Sequence, residues 1–370
     1  MLSPKVARRA TILPITHAIH PNTPAKVIYM KRFMIPLLVA IGLVAGCQLG
    51  PTVPERPARI AFMTDRDGIF EIYIMERDGS NPTNLTNDDS LNQGLPNWSS
   101  QANAFVFVAV PGGEKLTIYR MDDQGHELTL VNEDIPVDAG LPVWSPTGEW
   151  VAFGSGGEVN AEIYLVKASG EDTINLTDNP AQDRFSDWSP DGQQILFESD
   201  RAGALGIYVI DVAGGEATQL SAPESANGGS AWSPDGAKIA FMSNRDEDIE
   251  IYVMDVDGGN VTRLTDSAGF DGFPVWSPDS ARIAFISSRD GNAEIYVMNA
   301  DGSEPTNLTN SPDSQESLQG DFSWSPDGSQ ILFHSNRDGN VEVYVMDANG
   351  GNLANLTNSP SVDFASIWVQ

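Results

Sequence analysis

The chain has 370 residues, with 51 Asp and Glu against 21 Lys and Arg and a formal charge of −30. A field of that sign repels nucleic acid and anionic headgroups and draws cations or basic protein surfaces. Hydrophobic content of 41% with eight Trp excludes a disordered acidic chain, and a single cysteine excludes an intrachain disulfide.

The N-terminal region reads as an export signal. Met30-Lys31-Arg32 is a basic start, Phe33 to Val44 is a short apolar run, and Val44-Ala45-Gly46 supplies small residues before Cys47. The apolar run falls short of the roughly 20 residues a membrane-spanning helix needs. Val44-Ala45-Gly46-Cys47 resembles the bacterial lipoprotein box, which implies lipidation of Cys47, the only cysteine of the chain. The plainer alternative is an ordinary cleaved signal or an uncleaved anchor. Residues 1–29 precede the natural start of such a signal and read as an over-extended N-terminus or a cytoplasmic leader. The expected organisation is therefore 1–29 extension, 30–46 lipoprotein signal peptide, 47–58 proline-containing tether and 59–370 folded domain. Six of the 21 basic residues precede Cys47, so residues 47–370 carry 15 basic against 51 acidic residues, a net −36.

From residue 59 the chain repeats itself. Tryptophan recurs as Trp98, Trp144, Trp188, Trp232, Trp276, Trp324 and Trp368. Phenylalanine recurs as Phe62, Phe107, Phe153, Phe197, Phe241, Phe285 and Phe333, and tyrosine as Tyr73, Tyr119, Tyr164, Tyr208, Tyr252, Tyr296 and Tyr344. Each unit holds four short β-branched or aromatic runs separated by turn chemistry, such as Ser233-Pro234-Asp235-Gly236 and Asn336-Arg337-Asp338-Gly339. The second and third runs are apolar at successive positions, as strands covered on both faces are. A period near 44 residues with four strands per unit predicts an all-β fold, a seven-bladed β-propeller of four-stranded antiparallel blades. The first repeat lacks its tryptophan strand, and the chain ends on Phe364-Ala365-Ser366-Ile367-Trp368-Val369-Gln370. The C-terminal strand is therefore expected to join the N-terminal strands and close the ring.

The motif Trp-Ser-Pro-Asp-Gly, followed by Ile-x-Phe and Ile-Tyr-x-Met-Asp, resembles the TolB-like, WD-type propeller repeat. The resemblance covers about residues 59–370, and five copies keep nearly the whole motif. Unit 98–131 is the outlier, with Ser99-Ser100-Gln101 and Val110-Pro111-Gly112-Gly113 in place of the two turns. TolB itself carries a preceding α/β domain and six blades, so the chain resembles the repeat family and departs from TolB.

The repeated residues are assigned to structure first. The tryptophans are expected between blades. The hairpin pairs Arg66-Asp67, Arg245-Asp246, Arg289-Asp290 and Arg337-Asp338 are expected to fix that turn or to pair between blades. The Asn-Leu-Thr triplets at Asn84, Asn175, Asn307 and Asn355 match a glycosylation acceptor but read better as ends of outer strands. Shortly before each inner-strand tryptophan stands Asn92, Asp138, Asp183, Asn227, Asp271, Asp321 or Asp363. Convergence on the axis would make these seven a weak ring site for Ca²⁺, while the bland alternative has each capping its own loop. No cofactor is otherwise required.

No nucleophile motif, phosphate loop or zinc motif is present, and residues 47–370 hold only His126 and His334. The expected function is a non-catalytic cell-envelope binding or scaffold lipoprotein, a monomer, presenting an acidic surface to a basic protein or peptide. It touches the membrane through its lipid anchor only and binds no nucleic acid. Gln48 after the cysteine implies the periplasmic side of the outer membrane in a Gram-negative cell, otherwise the outer face of the cytoplasmic membrane. The alternative is a glycan- or peptide-processing enzyme using loop carboxylates in the propeller funnel. Peptidases with an added catalytic domain and sugar lyases with a histidine-rich metal centre resemble this propeller too, but their catalytic parts have no counterpart in the sequence.

Overall fold

A computed structural model describes residues 58–87, 91–111, 115–132, 137, 140–157, 160–311, 316 and 321–370. The expected extension, signal, Cys47 and nearly all of the tether lie outside them.

Seven four-stranded antiparallel sheets follow one another, six of them in simple strand order and one completed by the C-terminal strand. Blade 6 is representative: inner strand Asp271–Trp276, then Arg282–Ser287, Glu294–Asn299 and a two-residue outer strand Thr306–Asn307. Inner strands of most neighbouring blades touch one another, so they surround the axis. The second strands are buried almost throughout, as in Ile283-Ala284-Phe285-Ile286, because sheets cover them on both sides. Among the described residues there is no helix.

The ring closes as the sequence predicts. Asp363–Val369 pairs antiparallel with Arg59–Thr64, Arg59 opposite Val369 and Thr64 opposite Asp363. The innermost strand of blade 1 thus comes from the C-terminus, and its other strands are Arg59–Thr64, Glu71–Glu76 and Thr83–Asn84.

Four of the tryptophans stitch seams between blades. Trp276 Nε1 donates to Ala231 O of the preceding blade at 3.3 Å, Trp324 Nε1 to Val275 O at 3.2 Å, and Trp98 Nε1 to Gln370 O at 3.1 Å. At the other end of blades 3, 5, 6 and 7 a buried glutamate ties down the exit of the outer strand. Glu294 accepts from Thr309 Oγ1 and, at 2.7 Å, from Ser311 N. Asn84, Asn175, Asn307 and Asn355 each end an outer strand, as their triplets lead one to expect.

Candidate functional site

The heads of the inner strands and the hairpins joining second to third strands share one end of each blade. In blade 6 the ladder sets Asp271 opposite Ser287 and Ser287 opposite Glu294, with Arg289 in the hairpin between. Arg289 Nη2 donates to Asp271 Oδ2 at 2.7 Å, and its Nε donates to Ser287 Oγ at 2.8 Å. The guanidinium lies 4.7 Å from the ring centre of Tyr296 and 5.7 Å from that of Phe285, a cation–π clamp. Tyr296 in turn donates its hydroxyl to Asp290, and burial with that bond pushes the phenol up to about 12.

Other blades repeat the module. Arg201 meets Asp183 at 2.7 Å, Arg66 meets Asp363 at 3.3 Å, and Arg245 meets Asn227 Oδ1 at 3.0 Å. Asp183, Asp271 and Asp363 are fully buried, and removing such a carboxylate from water demands a counter-charge. In blades 1, 4 and 6 the arginine supplies it from within the same blade, and its Nε also donates to the Ser or Thr at the foot of the hairpin, so of the two expected roles it fixes its own turn and does not pair between blades.

In blade 7 the seventh place belongs to Glu316, not to Asp321. Glu316 bridges to Ser335 and accepts from Arg337 Nη2 at 2.8 Å, as Asp271 does with Ser287 and Arg289. Asp321 lies exposed just before Phe322. The longer segment ahead of Trp324 moves the equivalent acid upstream, which spacing alone conceals. Asn92 lies in the inner strand Leu91–Ser99, and Asp138 is outside the described residues. Among the described residues no three His, Cys, Asp or Glu side chains are grouped to hold a metal ion.

The residues that break the repeat lie one step further in. Ahead of the small residue near the end of each second strand (Ser or Thr in six blades, Ala109 in blade 2) come Met63, Val108, Gly154, Glu198, Met242, Ile286 and His334. Several of these cross to the next blade. Met63 Sδ accepts from Leu95 N at 2.8 Å, and Glu198 accepts from Gly229 N. Glycine makes room for them: a Cβ on Gly94 would fall 2.0 Å from Met63 Cε, and one on Gly272 would fall 2.4 Å from Met242 Sδ.

His334 reaches Ser366 in the closing strand. Ser366 N donates to His334 Nε2 at 3.1 Å, and Ser366 Oγ stands 2.9 Å from the same nitrogen. A backbone N–H can only donate, so Nε2 is the acceptor and the ring proton of the neutral imidazole sits on Nδ1. Burial pulls this imidazole down to about 4, which makes it a feeble base at neutral pH and a staple between blades 7 and 1.

Asp187 is a second staple. It accepts from Trp188 N at 2.9 Å and, across the seam, from Trp232 N at 2.8 Å. Burial pushes its carboxyl up to about 8 and that of Glu198 up to about 7. Asn97 fills the equivalent place in blade 2, accepting from Trp144 N at 2.9 Å. Sequence reading passes over Asp187 and Glu198, although both stand where most aligned copies carry an apolar residue or glycine.

The sequence profile of the TolB beta propeller domain matches residues 132–230 and 220–323, which overlap and together span just over half of the chain. No curated protein matches. Among solved structures, TolB from Acinetobacter baumannii is 24% identical with a TM-score of 0.50, over 68% of this chain and 63% of that one. An oligogalacturonate lyase from Vibrio parahaemolyticus superposes at a TM-score of 0.63 with 15% identity, over 78% of this chain and 86% of that one. A puromycin-hydrolyzing peptidase of Mycobacterium tuberculosis gives 0.62 and 15%, over 87% of this chain and 55% of that one. The chain thus spans somewhat under two thirds of the Acinetobacter TolB and about half of the peptidase, and at these identities the likeness is one of fold.

Proposed function

This chain belongs to the TolB β-propeller domain family, and from that premise we propose that it is a non-catalytic binding scaffold of the cell envelope, held there by a lipid on Cys47 and presenting its acidic surface to a basic protein or peptide. One observation carries the reading: most of the positive charges are paired within the molecule. Among the described residues nine Lys and Arg form ion pairs, and those of Arg66, Arg201, Arg289 and Arg337 go to fully buried carboxylates. The outward field is left to aspartates such as Asp235, Asp257 and Asp301, which lie in exposed turns, and such a field steers basic partners at low ionic strength.

The test is capture from the cell's own envelope extract by the immobilised propeller, with elution by salt. A protein of high isoelectric point, released between low and moderate salt and absent from a charge-matched control column, is the expected result. Turnover of an oligogalacturonide or a peptide by the purified chain would establish the enzymatic alternative instead.

A further inference from the structure

Blade 2 ends differently from its siblings. Its outer strand, Thr129–Asn132, has four residues where every other blade has two, and it lies at the free end of its sheet. Opposite the repeated tyrosine, the other six blades place a polar residue: Asn84, Asn175, Gln219, Arg263, Asn307 and Asn355. Blade 2 sets Leu130 opposite Tyr119. Three of those asparagines bond the hairpin aspartate, as Asn307 does with Asp290 at 2.9 Å. Blade 2 has lost both members of that pair, since Val110-Pro111-Gly112-Gly113 replaces its Arg-Asp hairpin.

The change leaves an apolar edge in water. Leu128 is 51% exposed just ahead of the strand, and Leu130 is 38% exposed within it. The turn at Gly170 in blade 3 lies against the carbonyl of Val131, so blade 3 is the neighbour on that side. Folded proteins blunt free edges with short strands or charge. The other six edges here are short; this one is twice as long and carries leucine.

We propose that Thr129–Asn132 is the docking edge for an extended basic segment of the partner, which adds to blade 2 as a fifth strand. The proposal rests on the basic-partner reading and names where that partner sits. Backbone hydrogen bonds would give affinity, and apolar side chains at alternate positions would cover Leu128 and Leu130. Charge decides between occupants. A second copy would bring another −36 to this edge, whereas exposed Glu127, beside Leu128, and Glu171, beside Gly170, suit lysine or arginine on the incoming strand.

The experiment is fluorescence anisotropy with a labelled octapeptide of alternating lysine and valine, run beside octalysine and beside the same octapeptide N-methylated along one edge. Native protein is expected to bind the alternating peptide at least tenfold more tightly than the N-methylated form. A Leu128→Asn/Leu130→Asn variant, its folding checked by thermal melting, should lose at least tenfold for the alternating peptide while octalysine binding is unchanged. Amide exchange at Thr129–Asn132 should slow when the peptide is bound. If variant and N-methylated arms both match the native result while octalysine binds, the edge is not the docking site and the basic-partner reading stands. If neither lysine peptide binds native protein, that reading falls and takes this proposal with it.

Discussion

Arg289 holds Asp271 from within its own blade, Nη2 to Oδ2 at 2.7 Å, with its guanidinium clamped on Phe285 and Tyr296. Removing the arginine leaves a buried carboxylate without its cation. Arg289→Ala should therefore cost about 3 kcal/mol, read from the denaturant midpoint. Asp271→Asn should cost about 1 kcal/mol or less, because Asn227 already shows an amide accepting from Arg245 in the same place.

The same pair bears on the ring of Asp and Asn as a Ca²⁺ site. Carboxylates already neutralised by arginine have little to offer a hard cation that wants 6–8 oxygens. Calorimetric titration of metal-free protein with Ca²⁺ is expected to give no saturable heat. Saturable binding that disappears in an Asp271→Ala/Asp363→Ala variant would restore the metal reading.

Asp187 and Asn97 occupy matching seams with different protonation needs. Asp187→Asn should preserve stability, since Asn97 performs the equivalent bond to Trp144 N. Asp187→Ala should cost about 1–3 kcal/mol by leaving the Trp232 N–H buried without an acceptor. Thermal melting of both variants at pH 7 checks the pair.

The buried groups also fix a pH dependence. Asp187 and Glu198 have folded values raised to about 8 and about 7. Between roughly 4.5 and 7 the folded state holds protons that the unfolded state has released, and these two groups make stability fall as pH rises. His334, lowered to about 4, acts the other way: its contribution is present above its unfolded value near 6.5 and is lost as pH falls toward 4. Turn aspartates such as Asp191 and Asp279, held down chiefly by serine hydroxyls, act below this window. An Asp187→Asn/Glu198→Gln variant should therefore gain stability from pH 4.5 to 6.5 relative to native protein. Parallel native and variant curves across that range would contradict the assignment.

Blade number and closure are legible in the sequence because three kinds of ring recur at fixed places and the first repeat lacks the strand that the last residues supply. Deleting residues 361–370 strips the inner edge of Arg59–Thr64 and leaves Trp98 without its acceptor on Gln370. Cooperative melting should then disappear, and a truncated chain melting like the full one would contradict the closure. The site is less legible. Spacing offers Asp321, and only the bridge between Glu316 and Ser335 shows which acid meets Arg337. Asp187 and Glu198 look like solvated carboxylates in sequence, because nothing in their neighbours reveals that the next blade covers them. Leu130 carries its signal only when set against the polar residues of the other six outer strands.

The most direct test of the account as a whole is equilibrium binding of octalysine and octaglutamate to the lipid-free propeller at several salt concentrations. An acidic scaffold most of whose own cations are internally paired should bind octalysine, ignore octaglutamate, and lose affinity steadily as salt screens the field over about 10 Å at 0.1 M. Equal binding of both peptides, or octalysine binding that salt leaves unchanged, would contradict it.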